Sequence, residues 1–179
     1  KGLIAAIECT QQFLHLYPSS YVWRSDIRKF FDSVDTDILR NLLHRKIIDP
    51  RARWLLSMII DSYPSPIVAA APTERERVRE PRNMSIPIGN LTSQIFANIY
   101  LNELDRFVSH NIRPLAYLRY GDDFIILSNE KSELQDMRAR IREYLKAEIR
   151  LDLHEKNDIL VKSAWGIRFL GVRIFPNGR

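Results

Sequence analysis

Two adjacent carboxylates, Asp122 and Asp123, stand between two apolar runs. Ala116, Leu118 and Tyr120 precede them; Phe124, Ile126 and Leu127 follow. The Gly121–Asp122 pair suits a two-residue hairpin turn in which Gly supplies a positive φ. Neighbouring acids in a turn are ordinarily just solvated. A buried sheet that ends in two of them needs a reason to hold that charge, and a divalent cation supplies one. Asp26 is the other half of the pattern. It closes a strand just before the aromatic pair Phe30–Phe31. Taken alone it reads equally well as a cap for the turn that follows. If its strand joins the hairpin in one sheet, three carboxylates converge. That oxygen-rich cluster is what a pair of Mg²⁺ ions, ~3.5–4 Å apart, needs for in-line phosphoryl or nucleotidyl transfer. One ion would lower the pKa of an attacking 3′-hydroxyl. The other would hold a triphosphate and neutralise the leaving pyrophosphate.

The elements that must position these acids are readable in outline. Residues 20–27 (SYVWRSDI) are rich in β-branched and aromatic types and predict a strand. Asp35 is the expected N-cap of a helix, with a Val34–Leu39 staple and an apolar set of Ile38, Leu39, Leu42, Leu43 and Ile47. Asp49–Pro50 is a second helix start, and Trp54, Leu55, Met58 and Ile59 are its expected buried stripe. Five of the nine prolines fall in 64–88, which reads as a long loop or a pair of short strands. A helix from Thr92 to Ser109 follows, with Phe96, Ile99, Tyr100, Leu104, Phe107 and Val108 on its core face. Strands Leu115–Tyr120 and Asp123–Ser128 come next. Ser132 and Gln135 form a capping box for a helix running to Ile149, with a stripe of Leu134, Met137, Ile141, Leu145 and Ile149. Short strands at Leu151–Leu153, Ile159–Val161 and Phe169–Phe175 end the chain. This order does not alternate strand and helix. It predicts an α+β fold, an antiparallel sheet with helices packed on one face.

At 179 residues, 45% hydrophobic and 27% charged, the chain has the composition of one globular domain and not of a disordered one. No apolar run approaches the ~20 residues of a membrane span. A single cysteine, Cys9, excludes an internal disulfide framework and a cysteine zinc site. The compartment therefore reads as reducing, and the localisation as cytoplasmic. Because the chain starts at Lys1, it reads as a piece of a longer protein. A net charge of +5 permits a polyanionic partner without requiring one. The densest charge run, Thr73 to Arg82, holds four Arg and three Glu and reads as a solvated loop or charged hairpin.

Five segments together resemble the motifs of the reverse transcriptases. Asp26-Ile-Arg-Lys-Phe-Phe-Asp-Ser-Val34 is similar to motif A, and Ile86-Pro-Ile-Gly-Asn-Leu-Thr-Ser-Gln94 to motif B. Tyr120-Gly-Asp-Asp123 resembles the YxDD box of motif C, Leu153-His-Glu-Lys-Asn157 motif D, and Phe169-Leu-Gly171 the primer-grip motif E. YxDD alone is weak; five motifs in order, spanning residues 20 to 175, are specific. Most bacterial and retroviral members have Gln before the motif B glycine and end in Ser-Pro. Here Ile88 precedes Gly89 and the end is Ser93–Gln94. The form I-G-x-x-x-S-Q resembles the enzymes of bacterial diversity-generating retroelements, which copy a template repeat with errors at adenines. Gly121 departs from the Met or Ala of many members, at a place where only the backbone is needed.

The resemblance implies an RNA-directed DNA polymerase and assigns roles. Asp26 and Asp122 would be direct metal ligands, Asp123 a less direct one, and Ile27 a backbone carbonyl ligand. The cofactor would be two Mg²⁺ ions, with Mn²⁺ as a substitute. Phe31 stands where the family places a steric gate against a ribose 2′-hydroxyl, with ordinary core packing as the alternative. Ile88 and Gly89 would border the nascent base pair, and Gln94 the template strand. Lys156 would protonate pyrophosphate, or be a plain surface lysine. Phe169, Leu170 and Gly171 would form the primer grip. Partners would be an RNA template, a DNA primer, dNTPs and a basic accessory protein of the retroelement, with no membrane. The expected organisation over 1–179 is a single palm domain with part of the fingers, fingers-like at 1–19 and 64–88. By the resemblance a thumb would follow Gly178, outside these residues, so this piece alone is not expected to suffice for synthesis. The rivals are a template-independent DNA polymerase of the abortive-infection type, a non-catalytic nucleic-acid-binding remnant, and a nucleotide cyclase with a related palm. Three intact carboxylates argue against the remnant, and the motif B stretch argues against the cyclase.

Overall fold

The computed structural model describes residues 2–62, 86 and 91–177. Ile88, Gly89 and all of the 64–88 segment except Ile86 lie outside the described residues. The described residues fall into two compact units. One draws on Lys1–Arg28, Leu104–Ala147 and Asp152–Arg179, the other on Lys29–Glu103 and Glu148–Leu151.

The first unit is built on a four-stranded antiparallel sheet of order β2-β3-β1-β4. Its strands are β1 (Tyr21–Asp26), β2 (Ala116–Tyr120), β3 (Asp123–Ser128) and β4 (Ile159–Lys162). Side chains alternate between its two faces. Val22, Ala116, Ile125 and Leu127 lie on one face. They pack with Leu14 of α1 (Leu3–Leu16) and with Ile167, Phe169 and Ile174 of a hairpin, β5 (Ile167–Phe169) and β6 (Val172–Ile174). Trp23, Phe124 and Ile126 lie on the other face, where Trp23 and Phe124 meet edge to face at 5.3 Å. The helix Lys131–Glu148 buries Leu134, Met137, Ile141 and Leu145, four of the five residues of the expected stripe, and the fifth, Ile149, is buried just past its end. Arg138 and Arg142 of that helix both bind Asp158, which also accepts from Trp23 Nε1 at 2.5 Å. Helix, acid and strand are thereby tied on the Trp23 face. This is the α+β architecture expected, with α1 added beside the hairpin on the opposite face. No described helix is long and apolar enough to cross a membrane.

Three local details differ from the sequence reading. Ser132 lies inside its helix, which starts at Lys131. The start is set instead by Ser128, whose hydroxyl bonds the Glu133 carboxylate and accepts from the Glu130 N–H at 3.4 Å. The stretch Phe169–Phe175 is not one strand. Leu170 (φ 52°) and Gly171 (φ 83°) reverse the chain, and Phe169 pairs with Val172. Of Leu151–Leu153, only Leu153 pairs, in a single bridge with Ile27.

The second unit contains α2 (Phe30–Ser33), α3 (Thr36–Lys46), α4 (Pro50–Asp61) and the first part of α5 (Leu91–Phe107); the Lys131–Glu148 helix is α6. A π-helical turn, Val108–Ile112, extends α5. Asp35 organises this unit. Its side chain caps α3 by accepting from the N–H groups of Asp37 and Ile38 at 3.0 and 3.1 Å. Its other oxygen accepts from Arg150 at 2.6 Å. The Asp35 N–H donates to the Tyr100 hydroxyl, which in turn donates to the Ile149 carbonyl at 2.7 Å. Burial pushes the Tyr100 hydroxyl pKa well up, so it stays a donor. The Asp49 cap of α4 forms as expected. Its apolar stripe is a correction. Trp54, Leu55 and Met58 are exposed, Ile59 is half-buried, and Ile60 is the buried residue. Helical spacing marks an apolar face but not what covers it. On α5 the buried apolar set is Phe96, Ala97, Tyr100, Leu101 and Leu104, with Ile99 and Phe107 half-buried, and Val108 is buried in the π-helical turn.

Asp35→Ala removes both the cap and the Arg150 partner, whereas Asp35→Ser keeps a capping oxygen. Thermal melts should show Asp35→Ala losing ~1–2 kcal/mol from the cap alone, and Asp35→Ser losing less. Equal losses would mean the cap contributes nothing.

Candidate active site

Strand β1 delivers Asp26 to the end of the sheet. Residues two apart share a face, so Val22, Arg24 and Asp26 line up while Trp23 and Ser25 point the other way. The register with β3 places Asp26 directly opposite Asp123, with Trp23 opposite Ile126. Tyr120 pairs with Asp123 across the β2–β3 hairpin, leaving Gly121 and Asp122 as its two-residue turn. Gly121 has φ 63°, the value the turn requires of it. The turn is held from below. Arg119 donates to the Gly121 carbonyl at 2.8 Å and forks onto Asp105 at 2.6 and 2.8 Å. Tyr117 donates to the same Asp105 at 2.6 Å. Burial, then the Asp105 charge, pushes the Tyr117 pKa far up, so that proton stays in place.

Past Asp26 the chain runs against 152–154, around the single Ile27–Leu153 bridge. Arg28 N–H donates to the Asp152 carbonyl at 2.8 Å, and His154 N–H to the Asp26 carbonyl at 2.9 Å. This brings the 3₁₀ turn Glu155–Asn157 beside the acid. His154 caps that turn, its Nδ1 accepting from the Lys156 N–H. Asn157 then donates its side-chain amide to Asp26 Oδ2 at 2.9 Å. Lys156 is exposed.

The three acids experience different surroundings. Asp26 Oδ1 is buried and has no hydrogen-bond partner. Asp122 has its carboxyl pKa pushed up, first by burial and then by the Asp123 and Asp26 charges beside it. Asp123 Oδ1 is taken by Arg24, at 2.9 Å from Nη2 and 3.3 Å from Nε. Among the described residues no three His, Cys, Asp or Glu side chains form a ready-made metal cage. The donor set nonetheless fits a divalent cation. An orphaned buried carboxylate oxygen and a neighbouring acid strained by repulsion are both relieved by positive charge. Asp26 and Asp122 would hold it, with Asp123 one step removed through Arg24.

In the second unit, Phe31 is half-buried, its ring edge against Phe30 at 5.3 Å. Its carbonyl accepts from the Ile86 N–H at 2.9 Å, which joins the motif A and motif B stretches. Gln94 is exposed on the first turn of α5. In the first unit, Ile27 is buried at its bridge, and Phe169 is fully buried in the core with Leu170 packed on it. Sequence reading missed Asn157 and Arg24. Asn157 adjoins Lys156 in the motif D stretch. Arg24 could have been noticed as a cation two positions before Asp26 on the same strand face. Its partner could not.

These features define a polymerase palm. A solved structure titled telomerase from Candida albicans in complex with a TWJ fragment of telomeric RNA shares the fold, at TM-score 0.59 and 13% identity. The match covers 97% of this chain and 32% of that one. The family model described as reverse transcriptase (RNA-dependent DNA polymerase) matches residues 6–174, and the chain belongs to that family. The group II intron-encoded protein LtrA of Lactococcus lactis subsp. cremoris is 23% identical over 83% of this chain and 34% of its own length. Protein YkfC of Escherichia coli K12 is 25% identical over 86% of this chain and 46% of its own length. The chain thus spans a third to just under half the length of these relatives.

The raised Asp122 pKa makes a signed prediction for the metal-free protein. A carboxyl whose folded pKa exceeds its unfolded value favours folding while protonated, and that contribution is lost as pH rises through the folded pKa. Asp122→Asn should therefore melt higher than wild type at pH 7, by up to ~1 kcal/mol, because a neutral side chain escapes first the burial penalty on charge and then the like-charge repulsion. The advantage should vanish on acidification below the ordinary Asp pKa. Melts from pH 3 to 8 without divalent ions test it. A variant less stable than wild type at pH 7 contradicts the reading.

Proposed function

We propose that this chain is the palm of an RNA-directed DNA polymerase of the error-prone retroelement type. It would join dNTPs to a primer 3′-hydroxyl on an RNA template by two-metal nucleotidyl transfer. The observation that carries this is the β1–β3 register, which sets Asp26 opposite Asp123 with Asp122 in the adjoining turn, in a member of this family. Two Mg²⁺ ions, when bound, supply the charge that activates the 3′-hydroxyl and offsets the leaving pyrophosphate. The chain's own residues do the rest. Asp26 presents its free oxygen while Asn157 holds the other one. Asp122 adds a second carboxylate from a turn fixed by Arg119. Ile27 offers its carbonyl next to Asp26, and Lys156 a proton donor for the departing pyrophosphate. Phe31 would exclude a 2′-hydroxyl, and its carbonyl bond to Ile86 supports a place beside the motif B stretch. Ile88 and Gly89 would border the nascent pair, Gln94 the template, and Phe169, Leu170 and Gly171 the primer. The organisation proposed is a palm with part of the fingers. A basic accessory protein completes the proposed set of partners.

The test is primer extension by the full-length protein. Synthesis should need an RNA template and Mg²⁺ or Mn²⁺, stop with chelator, and disappear in Asp26→Asn without loss of the fold by circular dichroism. Products of unvarying sequence regardless of template would favour the template-independent rival. Activity retained by Asp26→Asn would end the two-metal reading.

The intron-encoded relative supports an element-borne enzyme, and Ile88 supports the error-prone kind. A Gln at that position can hydrogen-bond around the incoming nucleotide; a branched apolar side chain cannot. A right-versus-wrong gap smaller by ~1.4 kcal/mol means about tenfold more misincorporation. Ile88→Gln should therefore lower errors about tenfold, most of all opposite adenine, when error rates are counted by template base. An unchanged spectrum would reduce Ile88 to packing.

A further inference from the structure

Arg24 carries a contact that the site above does not use. It sits on β1, two residues before Asp26, with its side chain 13% exposed. One edge of its guanidinium holds Asp123 Oδ1. The remaining arm, Nη1, donates to the Arg168 carbonyl in β5 at 3.0 Å. The β5–β6 hairpin is a separate two-stranded sheet. Its root is tied through Ser163, whose N–H donates to the Ser20 carbonyl at 2.9 Å and whose hydroxyl meets that of Ser20 at 2.7 Å. Along its strands, Ile167, Phe169 and Ile174 pack into the shared core. Apolar packing sets depth but gives little direction, whereas a planar guanidinium fixes both of its partners.

We infer that Arg24 is a positioning residue that locks the β5–β6 hairpin in register with Asp123. The hairpin and the acidic end of the main sheet then move as one body. The inference rests on the reading of the hairpin as primer-holding and of Asp26 and Asp122 as metal-holding. On that reading Arg24 sets the distance between the primer end and the reacting centre. It also keeps Asp123 from competing for the cation. A lysine would keep the charge but could not span the acid and the carbonyl together.

The experiment uses the full-length protein as wild type, Arg24→Lys, Arg24→Gln and Asp26→Asn. It measures Mn²⁺ binding by electron paramagnetic resonance, amide hydrogen exchange, and steady-state primer extension. Arg24→Lys should leave Mn²⁺ affinity unchanged. It should raise exchange in the 167–174 amides about tenfold with β3 unaffected, the scale of one lost hydrogen bond. Its kcat should fall about ten- to a hundredfold at constant KM for dNTP, as misplacement of a reactant does. Arg24→Gln should bind Mn²⁺ more tightly, because Asp123 is released, and still extend slowly. Wild-type hairpin exchange or wild-type kcat in Arg24→Lys would overturn the inference, since charge alone would then suffice. Uniformly raised exchange in all strands would also overturn it, reducing Arg24 to general stability. Wild-type Mn²⁺ binding by Asp26→Asn would instead remove the metal reading, and the inference with it.

Discussion

In an antiparallel pair, a shift of one residue turns every side chain of a strand to the opposite face. Here β1 and β3 run from Tyr21 opposite Ser128 to Asp26 opposite Asp123. A slip would move Asp26 to the face of Trp23 and Phe124 and bury Trp23 among the residues around Val22. Three features resist it. Trp23 and Phe124 pack edge to face, both without solvent exposure. The β2–β3 turn admits two residues, one of them a glycine at positive φ. Arg119 of β2, itself held by Asp105, then fixes that turn. Everything at the acidic end follows from this register, including the reach of Arg24 to Asp123.

The unit handles its partly buried acids in two ways, and the contrast is informative. Asp158 has a side chain only 2% exposed and is fully answered by Arg138, Arg142 and Trp23. It asks for nothing more and joins helix to sheet. Asp26 and Asp122 are answered in part. Asn157 takes one oxygen of Asp26, the other is buried and bare, and Asp122 sits against like charges. Acids left short of partners in this way would be relieved by a cation, which is the ground for the proposed metal site. Arg24 limits the cost by answering Asp123 alone.

Local signals were legible where a single element carries them. The Asp35 and Asp49 caps formed because a side-chain oxygen two or three residues ahead of its N–H partners needs no distant help. The α6 stripe and the Gly121–Asp122 turn followed from period and turn chemistry. The α4 stripe failed because amphipathic spacing says that a face is apolar, not that something lies on it. The reversal at Leu170–Gly171 was hidden because leucine rarely takes positive φ, and packing of Phe169 and Ile174 into the core overrides that preference.

By itself the sequence determined the acids, the strand that ends in Asp26, the two-residue turn and the family. These depend on residue types at short spacing. Tertiary structure decided which groups answer those acids. Arg24 meets Asp123 across 99 positions, and Asn157 meets Asp26 across 131. Strand register and the Ile27–Leu153 bridge create both meetings. Hydrogen bonds are directional and short, so a partner is fixed only once the backbones that carry it have been set side by side.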